Sequence, residues 1–218
     1  MNIGGCSKEF LSNKKINSQY LKYISGTKSL DKYFYEWNSK YDCYAIFDAQ
    51  KEKKLKNEGY TLALGNHDRY LSEKLFIPES GQYLIATLVD EPIYSAYGIM
   101  VGTSKSSIYD LKYICALINS KLFTFYALEK NILRKGKKAT PHVGVRGLNS
   151  IPVFKLSKDE QEPFIGLVNK ILSLTRSEDF KINSQKRMEK QSLESKIDNL
   201  IYRLYHLEEN EIEIVNNY

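Results

Sequence analysis

The feature that most constrains the fold is a change in hydrophobic period near residue 110. Before it, apolar residues come in short runs, rich in aromatic and β-branched side chains and separated by Gly, Pro, Asp and Ser, which is typical of strands. After it, apolar residues recur at spacings of three and four, the period of a buried helix face. Strands followed by helices favour an α+β fold. The predicted strands are residues 41–47, 60–64, 74–77, 83–89 and 94–101.

The middle of the chain predicts a buried helix followed by a turn-rich stretch. The helix covers residues 110–129, with Asn119 and Ser120 as a break. Residues 131–152 contain three glycines and two prolines, which do not allow a long helix. We therefore expect loops and, at most, short strands in this stretch.

The last third of the chain predicts two long helices and a short acidic one. Ser157 and Glu160 have the spacing of a capping box, which starts the first helix. The second helix begins near Ser184. We predict a β-rich domain over residues 1–156, with one twisted, mixed or antiparallel sheet from the first hundred residues and a buried central helix. A C-terminal helical segment over residues 157–218 is expected to pack on it.

Composition excludes several classes of protein. A mean hydropathy of −0.44 and the lack of a long apolar run argue against a membrane span. Cys6, Cys43 and Cys115 have no CxxC or Cys/His spacing, which suits a reducing compartment. The first eleven residues lack the positive start and apolar stretch of a secretory signal. We expect a soluble, cytoplasmic protein without a membrane partner.

The most informative stretch is residues 130–158, called the basic segment here. It holds eight Lys and Arg residues and no Asp or Glu, a local charge of +8 in a chain whose net charge is +6. Phosphates attract clustered cations, and base edges are read by adaptable donors. Within the segment, residues 134–142 (RKGKKATPH) form a Gly-containing loop that supplies both. A solvated, lysine-rich surface loop also accounts for this composition.

The candidate DNA contacts fall into three groups. Lys135, Lys137 and Lys138 are expected to contact phosphates. The candidates for base edges are Arg134, Thr140, His142 and Arg146. Lys14 and Lys15 are further candidates, although nearby acidic residues favour ordinary surface charge in the N-terminal half.

Catalytic patterns are weak. The three histidines lie far apart and have no metal-ligand spacing. His67 is predicted to be a hydrogen-bonded histidine in a turn. Asp42 and Glu52, followed by Lys54, have the spacing of a metal-dependent nuclease. Glu52, however, lies in a lysine-rich run, residues 51–56, that predicts a solvated hairpin tip or short helix. No glycine-rich nucleotide-binding loop occurs, so we expect no catalytic residue, metal or cofactor in this chain.

Several motifs together resemble the TaqI-like C-terminal specificity domain, the target-recognition domain of type IIG restriction-modification enzymes and adenine-N6 DNA methyltransferases. The matching pieces are GCSKEF at residues 5–10, ISG at 24–26, DKY at 31–33, YICALINSKL at 113–122, LNSIPV at 148–153, DEQ at 159–161 and IDNLIYRLYHL at 197–207. These pieces cover almost the whole chain in the family's order. The last, with the NSKL and IP pieces, is the most specific.

The resemblance implies a non-catalytic module that binds double-stranded DNA and selects the sequence to be methylated or cut. Catalysis would belong to a methyltransferase or endonuclease domain, N-terminal to the module or in trans. S-adenosylmethionine and Mg²⁺ would bind only in that part, because no NPPY motif and no glycine-rich S-adenosylmethionine loop occurs here. Two alternatives stay open: half of a type I specificity subunit, and a protein-docking module for a methyltransferase subunit.

Overall fold

The computed structural model describes residues 1–104, 108–134 and 140–218, and it confirms the α+β class. The strands are β1 (Leu11–Ser12), β2 (Leu21–Ile24), β3 (Leu30–Asp31), β4 (Phe34–Tyr35), β5 (Cys43–Ala45), β6 (Lys74–Pro78), β7 (Thr87–Val89), β8 (Tyr94–Ser95) and β9 (Ile99–Gly102). The helices are α1 (Ser7–Phe10), α2 (Ala49–Asn57), α3 (His67–Leu71), α4 (Leu111–Asn119), α5 (Lys121–Glu129), α6 (Val145–Leu148), α7 (Lys158–Thr175), α8 (Ser184–Leu204) and α9 (Glu209–Asn217), with a 3₁₀ turn at Thr27–Ser29.

The strands of the described residues form three small sheets, whereas a single sheet was expected. One is mixed, in the order β1-β5-β2-β8; another is the β3-β4 pair; the third is antiparallel, in the order β7-β6-β9. The predicted strand at 94–101 explains part of the difference. Gly98 has a φ of 94°, a turn conformation that costs glycine little, and it divides the run into β8 and β9, which join different sheets.

Two other strand predictions need correction, and one open alternative is decided. In residues 60–64, only Ala63 pairs, in an isolated bridge with Asn2. In residues 83–89, the strand is limited to Thr87–Val89. The run at 51–56 lies in α2, whose N-cap Asp48 accepts a hydrogen bond from Lys51 N, so the helical alternative holds. Propensity alone does not decide these cases, because a short strand needs a neighbour with free backbone groups.

The break in the central helix is confirmed at Ser120. Its hydroxyl donates to Leu117 O (2.7 Å) at the end of α4 and accepts from Phe123 N (3.2 Å) at the start of α5. The preceding Asn119 side chain bonds both backbone groups of Ala86, at 2.8 Å each. The Asn119 side chain therefore makes the hydrogen bonds that a neighbouring strand would make to the backbone of Ala86. These bonds attach the helix pair to the third sheet.

The C-terminal helices and the central helices share one hydrophobic core, called the main core here. The predicted capping box is present: Ser157 Oγ accepts from Glu160 N, and Glu160 accepts from Ser157 N. Buried residues of α4, α5, α7 and α8 pack with the third sheet; examples are Leu75, Leu117, Phe123, Phe164, Ile171 and Ile197. The boundary at residue 156 stays a prediction.

A second hydrophobic cluster supports the mixed sheet and includes Phe10, Tyr23, Ala45 and Tyr94. Among the described residues, no helix has both the length and the apolar character needed to cross a membrane.

Candidate nucleic-acid interface

The basic segment connects α5 to α7, and four of its described apolar residues anchor it. Lys130 caps the C-terminal end of α5, and Lys158 is the first residue of α7. Leu133, Val143, Ile151 and Leu156 are buried in the main core. The segment is therefore attached at several points, and its described cations lie outside.

Tyr205, at the end of α8, holds the last part of the segment. Its hydroxyl donates to Pro152 O (3.0 Å) and accepts from Phe154 N (3.2 Å). Tyr113 donates to Phe154 O (2.9 Å). Burial raises the pKa of both phenols, so both keep the donated proton at neutral pH. Tyr205, the second tyrosine of the terminal YRLYHL motif, thus holds the C-terminal part of the segment in place.

The loop that contains the candidate phosphate contacts is closed by a backbone pair. Arg134 N donates to His142 O (2.9 Å), and His142 N donates to Arg134 O (3.0 Å). The three predicted phosphate contacts, Lys135, Lys137 and Lys138, lie outside the described residues. The pair brings two predicted base-reading residues together at the base of this loop.

A third chain segment extends this pair into a short ribbon, made of residues 79–81, 141–143 and Arg134. The additional bonds are Gly81 N to Pro141 O (3.0 Å) and Val143 N to Glu79 O (2.7 Å). They place Ser80 directly opposite His142 in an antiparallel bridge. Since residues 79–81 follow β6 directly, the short ribbon is fixed to the third sheet.

Ser80, His142 and Arg134 lie on one face of the short ribbon, because directly opposed residues of antiparallel strands point the same way. All three are exposed, and Ser80 Oγ lies 3.3 Å from His142 Nδ1. Sequence reasoning missed Ser80, which is uncharged and lies 62 residues from His142. Only the strand pairing reveals it.

Five described cations of the basic segment are exposed and have no carboxylate partner. They are Lys130, Arg134, Arg146, Lys155 and Lys158. Every ion pair within the described ranges lies outside the segment. Elsewhere, cations such as Lys22 and Arg176 bond Glu91 and Asp90. The described cations of the segment are therefore available to bind an anion, because none of them forms an ion pair with an acidic side chain of the described residues.

The remaining candidates are more dispersed. Thr140 is exposed, two residues before His142. Arg146 is exposed on α6, a single helical turn that the sequence did not predict. The turn forms because Leu148 N reaches Gly144 O. Lys14 and Lys15 lie just after β1, on the mixed sheet, which is a different sheet from the one that carries the short ribbon.

The residues of the nuclease pattern have structural roles. Asp42 is 5% exposed and accepts hydrogen bonds from Ser25 N, Ser29 Oγ and Asn38 N. Glu52 pairs with Lys56 within α2. Within the part of the chain that the structure describes, no three His, Cys, Asp or Glu residues are grouped to hold a metal ion.

His67 and the cysteines also have local partners. His67 Nε2 lies 3.0 Å from Tyr94 Oη, and its ring stacks on Phe47, which agrees with the hydrogen-bonded histidine that was predicted. Cys6 and Cys115 are buried and Cys43 is half-buried, all as free thiols. Burial raises the pKa of Cys115 and Cys43, and it thus disfavours the reactive thiolate.

Comparison with known proteins extends these observations. The structure is similar to that of the Type IIL restriction-modification enzyme MmeI, solved in complex with DNA, with a TM-score of 0.57 and 10% sequence identity. The match covers 88% of this chain and 29% of the MmeI chain, so this chain spans less than a third of MmeI. At this identity the likeness shows the fold alone. No curated protein sequence matches the chain.

A family model described as the TaqI-like C-terminal specificity domain matches residues 21–153. This range contains β2 to β9, the central helices, the short ribbon and most of the basic segment. The match extends over more than half of the 218 residues. The chain therefore belongs to the TaqI-like C-terminal specificity domain family.

Proposed function

We propose that this chain is the sequence-specific, double-stranded DNA recognition module of a restriction-modification enzyme of type IIG or of an adenine DNA methyltransferase. The observation that carries the proposal is the basic segment, with five exposed cations and no carboxylate partner among the described residues. Duplex DNA carries about one negative charge per 1.7 Å of helix axis. Such a surface matches a row of phosphates better than it matches an ordinary protein surface.

The short ribbon supplies the second requirement, which is base readout. Phosphate contacts position a protein but carry no sequence information, so specificity needs side chains that reach base edges. A β-ribbon fits the major groove of B-DNA. Arg134 and His142 lie next to each other on such a ribbon, at the base of the lysine-rich loop.

The family and the fold match support this proposal. MmeI is a restriction-modification enzyme whose structure was solved with DNA, and the family is one of specificity domains. We further propose that the chain is non-catalytic and cytoplasmic. A methyltransferase or endonuclease domain, N-terminal or in trans, would perform the reaction and hold S-adenosylmethionine and Mg²⁺.

Salt-dependent duplex binding tests the proposed function. If Lys135, Lys137 and Lys138 of the loop and the described Lys130, Lys155 and Lys158 each neutralise one phosphate, log K falls against log salt with a slope of about −5.4, which weakens binding about 2,000-fold between 50 and 200 mM salt. Fluorescence anisotropy with a labelled 25-base-pair duplex measures this slope. The 218-residue chain is used without a partner.

The main alternative is a module that docks a methyltransferase subunit through its long helices. That module predicts no salt-sensitive duplex binding by the isolated chain. A flat salt response at protein concentrations up to the micromolar range would therefore contradict the proposed function.

A further inference from the structure

We propose that Ser80 is a positioning residue that sets the hydrogen-bonding role of His142 in base readout. In this arrangement the Ser80 hydroxyl donates to His142 Nδ1, and the Nε2–H group is presented to an acceptor on a base edge. The inference rests on the proposed function and adds a specificity-determining residue that lies outside the basic segment.

Backbone pairing fixes the relative position of the two side chains. The bonds from Gly81 and Val143 surround the Ser80–His142 pair on both sides, so this is a non-hydrogen-bonded pair. Such pairs have Cα atoms about 4.5 Å apart and bring their side chains closer than the alternating pairs do. The 3.3 Å contact between Ser80 Oγ and His142 Nδ1 follows from this register.

The chemistry of imidazole gives this contact a consequence. A neutral histidine has one donor and one acceptor nitrogen, and the hydrogen bond at one nitrogen decides the role of the other. A hydroxyl that donates to Nδ1 makes Nε2 a donor. Without such a hydrogen bond, either ring nitrogen of a histidine can be the donor. The serine hydroxyl therefore fixes Nε2 as the donor that faces the base.

The neighbouring Arg134 indicates which base edge fits. Arg134 offers donors only, and it forms the hydrogen-bonded pair on the other side of His142. The two side chains start about 5.5 Å apart at Cα and both present donors to the same side. Guanine displays two acceptors, N7 and O6, in the major groove. We therefore infer that Arg134 and His142 bind purines at neighbouring base pairs, through the acceptor atoms of the base edge, and that guanine is preferred.

The test begins with the preferred duplex, which the full chain selects from a random double-stranded pool. Guanines are then replaced one at a time by 7-deazaguanine, which removes the N7 acceptor. The Ser80→Ala variant is expected to lose about 5-fold to 10-fold of the discrimination at one position, as for the loss of one net hydrogen bond. The His142→Ala variant is expected to lose discrimination between guanine and 7-deazaguanine at the same position.

Three further variants separate positioning from general structural effects. Ser80→Thr keeps the hydroxyl and is expected to restore discrimination. Ser195→Ala removes an exposed hydroxyl that bonds only within α8, and it is the matched control with unchanged discrimination. The double variant of Ser80 and His142 is expected to lose no more than His142→Ala alone, because both act on one contact.

A spectroscopic measurement reports on the ring itself. In ¹⁵N NMR spectra of the free chain, His142 is expected to carry its proton on Nε2, and Ser80→Ala is expected to give a mixture of tautomers. A merely structural serine would not change the tautomer.

The inference is overturned if Ser80→Ala weakens all duplexes equally, or if it changes no position while His142→Ala does. It is also overturned if His142→Ala affects no single position. A wild-type chain that binds no duplex would instead contradict the proposed function, which the anisotropy measurement detects before any variant is made.

Discussion

Replacing Lys135, Lys137 and Lys138 with glutamine is expected to weaken binding to every duplex about 100-fold at 0.15 M salt. Each lost phosphate contact reduces the slope of log K against log salt by about 0.9, which corresponds to a factor of about 5 at this salt concentration. The loss is expected to be equal for preferred and unrelated sequences, because phosphates carry no sequence information. Anisotropy titrations at four salt concentrations measure both the affinity and the slope.

The matched control replaces three exposed lysines outside the basic segment, Lys40, Lys170 and Lys196. It makes the same change in net charge and is expected to leave the slope nearly unchanged. If the control weakens binding as much as the loop variant, net charge explains the affinity. If the loop variant keeps the wild-type slope, the DNA surface lies elsewhere on the molecule.

Asp42→Ala is expected to lower the free energy of unfolding by about 3 to 5 kcal/mol. The carboxylate is 5% exposed and accepts from Ser25 N (2.8 Å), Ser29 Oγ (2.7 Å) and Asn38 N (3.0 Å). Alanine leaves three donors without their acceptor. The buried Ser29 hydroxyl left unsatisfied costs about 1 to 3 kcal/mol, and the backbone donors of Ser25 and Asn38, which water reaches in part, add to this cost. Urea unfolding followed by circular dichroism measures this change.

Two further variants define the origin of that loss. Asp42→Asn keeps one acceptor oxygen and is expected to fall between alanine and wild type. Asp31→Ala removes an exposed carboxylate that bonds only the adjacent Lys32 N, so it is expected to cost less than about 1 kcal/mol. An Asp42→Ala chain as stable as wild type would contradict this structural role and would reopen a catalytic one for the carboxylate.

The helices could be predicted well from the sequence because their signals are local. The capping box from Ser157 to Glu160 spans four residues, and the break at Ser120 combines a C-terminal and an N-terminal cap in one side chain. The sheets could not be predicted in the same way. Whether residues 94–101 form one strand or two depends on which strands they pair with. Gly98 divides the run because its φ is positive, and the sequence alone does not show which glycines have this conformation.

The motifs that carry the family resemblance prove to be anchors of the fold. Asn119 bonds Ala86, and Lys121 N donates to Asp198 Oδ1 (2.9 Å). Tyr205 holds Pro152 and Phe154. These contacts join residues that are 33 to 77 positions apart, so no periodicity argument reaches them. The contacts of Tyr205 also hold the C-terminal part of the basic segment in place.

The candidate site was predictable in its charge but not in its geometry. A count of acidic and basic residues locates the basic segment, because charge is a property of composition. The pairing of Arg134 with His142, and of His142 with Ser80, occurs in isolated bridges outside the named strands, and the second joins residues 62 positions apart. The exposed Arg134, Thr140 and His142 lie outside the named helices and strands, which agrees with the general tendency of binding residues to lie on loops.

Lysine protection measures the central claim most directly. The chain is treated with an acetylating reagent, with and without a saturating amount of its preferred duplex, and each lysine is quantified by mass spectrometry. Lys130, Lys155 and Lys158 are exposed without a carboxylate partner in the described residues, and they are expected to lose reactivity several-fold with DNA, while Lys170 and Lys196 keep theirs. Full reactivity of the basic segment in the complex, with protection of Lys170 and Lys196 instead, would contradict the account.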